Sequence, residues 1–141
     1  MSVLQAQVKG ADDAVALLRE LVGTDPIEGI VVVGLDEEQR LCGVGLNPRH
    51  RALSWVKVWE LVDLAAELGA CAFVIGLFPS GRSRAPSEHE IGAFVDLHER
   101  ALRAQVLVLD CLVVRGHQWW SLRERSGKFP KVPLVGRAGD G

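Results

Sequence analysis

Between residues 71 and 87 the chain reads C-A-F-V-I-G-L-F-P-S-G-R-S-R-A-P-S, an apolar run that passes into a loop with two Pro-Ser pairs and two arginines. A loop fed by a buried strand is where an enzyme holds its reactive groups. Ser80, Arg82 and Arg84 stand just ahead of a helix start at Ser87. Exposed backbone N–H groups and guanidiniums there would make a seat for an anion, whether phosphate, a nucleic-acid backbone or an acidic peptide. The plainer reading is a solvated loop on a chain of net charge −2. Gly76, Leu77 and Phe78, where the strand meets the loop, can neither bind a metal, move a proton nor attack a substrate.

Other residues carry chemistry of their own. Ser87-x-x-Glu90 has the spacing of a capping box, in which each side chain satisfies the backbone N–H of the other, and that role is favoured over metal binding. Glu28 precedes a β-branched run and reads as either a structural carboxylate or a working one. Asp110, next to Cys111 within an apolar strand, must find partners or shift its pKa. His98 falls on the apolar stripe of its helix and reads as a satisfied core histidine, whereas His89 on the first turn is solvated. His89, Glu90, Asp110 and Cys111 could be imagined as a rebuilt metal site, but nothing in their spacing requires it. No H-x-H, C-x-x-C or H-E-x-x-H pattern occurs. A cysteine nucleophile has no better support, since Cys42, Cys71 and Cys111 have apolar neighbours that raise thiol pKa and none has an adjacent histidine.

These residues are positioned by a regular order of elements. The periodicity predicts an edge strand over 2–8 and a helix over 11–22 with acidic residues in its first turn. A hairpin of strands follows over 28–35 and 41–46. A helix is expected over 53–68, covered on most of its girth, with Trp55, Trp59, Val62 and Ala66 on its apolar stripe. Residues 71–78 suit a strand buried on both faces. A helix over 87–103 should face the sheet with Ile91, Phe94, His98 and Leu102. A strand over 105–114 turns at Gly116 into a pairing strand over 117–122, where adjacent Trp119 and Trp120 must point to opposite faces. Helices interleaved with strands give an α/β domain of three layers around a mixed sheet.

With 141 residues, 48% of them hydrophobic, the chain fits one domain with a real core. It is neither basic enough to announce nucleic acid nor acidic enough to suggest disorder. Its three cysteines sit within apolar runs, as reduced core residues do, so the expected compartment is the cytoplasm. Neither a secretory leader nor a membrane-spanning stretch is expected. The domain should occupy residues 1–124. Residues 125–141 form a basic, loosely attached tail, because residues 123–141 hold five Lys/Arg against two Asp/Glu.

The order of motifs resembles the RadC-type branch of the JAB/MPN (JAMM) family. Glu28 lies eight residues ahead of Asp36 and a helix follows; then come A-C-A-F-V-I-G-L-F-P-S-G, P-S-E-H-E-I, L-V-L-D-C-L-V-V and W-S-L-R-E. The resemblance spans about residues 3 to 124 and implies a cytidine deaminase-like architecture. In members that carry metal it implies two histidines and an aspartate on zinc, with the upstream glutamate handling protons on the bound water. Here Gly76 and Phe78 match the histidines, Leu77 the asparagine between them, Glu90 the aspartate, and Asp110-Cys111 a later Asp-His pair. Glu28 matches the glutamate but has no activated water to act on.

The resemblance therefore implies a domain without zinc or other cofactor, acting as a protein-interaction or scaffold module through a protein partner or a homodimer. Its candidate binding loop is Gly76, Leu77, Phe78, Ser80, Arg82, Arg84, Ser87 and Glu90. One alternative is a metal-dependent hydrolase, peptidase or nuclease, with an altered ligand set. Another is nucleic-acid binding through Arg82 and Arg84, in keeping with the DNA-repair label of RadC proteins.

Overall fold

Every residue of strand β1 (Gly29–Leu35) is buried. Ile30 and Val32 enter one hydrophobic core and Val31, Val33 and Leu35 another, as the two-residue period of a strand requires. A strand covered on both faces needs a helical layer on each side, and the order of elements supplies it. The structure is a computed structural model and describes residues 7–22, 29–47, 52–79 and 85–128.

In chain order, α1 (Ala11–Val22) is followed by β1, β2 (Leu41–Asn47), α2 (Val58–Leu68), β3 (Ala72–Phe78), α3 (Glu88–Arg103), β4 (Leu107–Arg115), β5 (Gln118–Ser121) and α4 (Leu122–Ser126). The five strands form one sheet in the order β2-β1-β3-β4-β5. β1 runs antiparallel to β2 and β3, β3 is parallel to β4, and β5 returns antiparallel to β4, so the sheet is mixed. Val15, Leu17 and Leu18 of α1 cover one face. Leu61 of α2, Phe94 and Leu97 of α3 and Leu122 of α4 close the other.

The expected helix over 53–68 is two elements. A short 3-10 turn, Leu53–Trp55, gives way to extended backbone at Val56 and Lys57 before α2 begins. Glu60 sets this restart, because its carboxylate accepts the Lys57 backbone N–H at 2.9 Å. Nor is α2 covered on most of its girth, since Trp59 is 65% and Val62 38% exposed. What α2 does bury is pressed close at its far end. A Cβ on Gly43 would stand 2.4 Å from Leu68 Cδ2, so β2 needs glycine where Leu68 lies on it.

Further differences have local causes. On α3 the buried stripe runs through Phe94, Leu97 and Ala101, and Leu102 is exposed, one residue round the helix from the expected line. Cys71 is exposed rather than a core residue, standing at the turn just before β3. Cys42 is half-buried and Cys111 fully buried. Gln7 makes a single bridge to Arg40, and residues 2–6 of the expected edge strand lie outside the described residues. Trp119 and Trp120 do enter opposite cores, and both are half-buried because both faces are covered. The chain after Ser121 turns into α4, which the sequence reading did not contain and which takes in Arg125 and Ser126.

Candidate functional site

At the end of β3 the three residues in question alternate across the sheet. Gly76 and Phe78 face the α1 layer, where Leu18 lies over Gly76 and Phe78 belongs to the same core. Leu77 faces the α2 and α3 layer. Leu77 and Phe78 are buried, so they fill space rather than present a surface. Glu90, on the first turn of α3, lies on the Leu77 side of the sheet, where the two line a pocket of only about 50 Å³ with Leu53, His89 and Ala93. Gly76 and Phe78 therefore face away from Glu90. Neither the side chains present nor their directions fit a zinc ion, and no group of three His, Cys, Asp or Glu comes together among the described residues.

Glu90 has structural partners. Its Oε1 accepts the Ser87 backbone N–H at 3.0 Å while Ser87 Oγ accepts the Glu90 N–H at 3.2 Å, which completes the expected capping box. Its Oε2 lies 3.6 Å from Nη2 of Arg115, a buried arginine whose guanidinium also stands 5.9 Å from the Trp120 ring. A buried guanidinium needs such a counter-charge, which ties the start of α3 to the end of β4. Ser87→Ala is expected to lower stability by about 1 kcal/mol. The check is the urea midpoint at unchanged slope, and a shift indistinguishable from zero would remove the cap from this account.

Asp110 sits where β4 slips register against β3: Phe73 pairs with Val108 but Val74 pairs with Asp110. Such a bulge re-aims a side chain. The carboxylate accepts the backbone N–H of Cys111 at 2.7 Å and of Arg123 at 3.0 Å, and the Ser121 hydroxyl at 2.5 Å. Ser121 Oγ in turn accepts the Glu124 N–H and caps α4, while Arg123 Nη1 donates to Leu109 O at 3.1 Å. Burial raises the Asp110 pKa to about 6 against the hydrogen bonds and the Arg123 charge that lower it. Burial, with the nearby Asp110 and Glu90 carboxylates, pushes the Cys111 thiol up, which is the opposite of what a nucleophile needs. His98 places Nδ1 2.9 Å from the Val108 carbonyl, a core histidine with a partner.

Glu28, Ser80, Arg82 and Arg84 lie outside the described residues. Of the residues singled out in the sequence, the structure brings together Leu77, His89 and Glu90 in one place and Asp110 with Ser121 and Arg123 in another. Gly76 and Phe78 belong to neither.

Comparison with known proteins fixes the family. The profile of a domain of unknown function, DUF4192, matches residues 12–137. The chain belongs to the DUF4192 family. No curated protein matches it. In this DUF4192 domain one apolar groove is a feature that sequence reasoning missed. Of the pockets described, the groove beside α2 encloses about 280 Å³, with Ile30, Val32 and Leu61 among its floor residues and Trp59 at its mouth. Glu60, Asp63 and Glu67 line it, and among the described residues no Lys or Arg does. The signal available was the recurrence of Glu60, Asp63 and Glu67 at helical spacing between the apolar positions of α2. No helix among the described residues is long and apolar enough to cross a membrane.

Proposed function

We propose that this DUF4192 domain is a RadC-like JAB/MPN domain whose zinc site has been replaced by packing, and that it serves as a protein-interaction module without catalysis. The observation that carries this reading is the fate of the matched positions. Gly76, Leu77 and Phe78 are enclosed in the two cores, Glu90 is engaged by Ser87 and Arg115, and Asp110 by Ser121 and two backbone N–H groups. The motif order supports the architecture: the apolar run is a strand leading to the loop, P-S-E-H-E-I opens a capped helix, and L-V-L-D-C-L-V-V is the neighbouring parallel strand.

The deciding experiment is zinc retention by the untagged chain after equilibration with micromolar zinc and desalting. Retention at background level is expected, equal for the native chain and for Glu90→Ala. Stoichiometric zinc that is lost in Glu90→Ala or Asp110→Ala, while the variant stays folded, would replace this reading with a hydrolase of altered ligand set. Salt-dependent oligonucleotide binding abolished by Arg82→Ala with Arg84→Ala would replace it with nucleic-acid recognition.

A further inference from the structure

We draw no further inference here: the strongest candidate, the apolar groove beside α2 with the exposed Trp59 at its mouth, carries nothing because nothing in the structure shows what covers it.

Discussion

Gly76→His, which would place a histidine where the proposed JAB/MPN likeness has its first zinc ligand, is expected to destabilise the domain severely and to bring in no zinc. A Cβ at position 76 would stand 2.6 and 2.9 Å from the two methyl carbons of Leu18 and 3.1 Å from the Phe78 ring. Leu18 is fully buried between α1 and the sheet and has nowhere to turn. Overpacking of this kind costs about 1–3 kcal/mol, and an imidazole without partners in an apolar core adds a similar amount, so a loss of roughly 3–5 kcal/mol is expected. Gly76→Ala separates the two contributions, since it keeps the clash and omits the imidazole. The measurement is the urea midpoint of each variant. A Gly76→Ala protein as stable as the native one would show that Leu18 can yield, and would reopen position 76 to a ligand.

The second large effect concerns Asp110 and pH. Asp110→Ala leaves the Cys111 and Arg123 N–H groups and the Ser121 hydroxyl without their acceptor, a loss of at least about 3 kcal/mol at neutral pH. Because burial raises the folded pKa from 3.8 to about 6, the folded state takes up a proton more readily than the unfolded chain. The added stability is complete below the unfolded pKa and is lost as pH rises through about 6, a change on the order of 3 kcal/mol. The gap between native and Asp110→Ala proteins should therefore be wider at pH 4 than at pH 7.5. A gap that widens upward through pH 6 would mean that the three hydrogen bonds outweigh burial and that the fold prefers the carboxylate.

Much of the architecture was legible because its signals are local. Continuous apolar runs marked the central strands, acidic first turns marked helix starts, and Ser87-x-x-Glu90 named a cap that the structure contains. The break before α2 was less legible, since Glu60 reaches back to a lysine rather than to one of the usual capping residues. The sites were legible only in part. That Asp110 needed partners followed from an acid in an apolar strand, but Ser121 and Arg123 come to it through a register slip that no periodicity records. Trp59 was placed on a buried stripe because its spacing fits one. Whether a helix face is covered depends on how closely the helix lies on the sheet, and that was set by Leu68 and Gly43 at the other end of α2.

The glycines of β2 have an effect beyond admitting α2. β2 is one of the sheet's two edge strands, and the backbone donors and acceptors along such a margin can take on a strand from another molecule. Gly43 and Gly45 give such a visitor no side-chain row to pack on and keep β propensity low along that margin. The residues that let a helix settle inside thus also make the domain's rim a poor template for fibrous self-association.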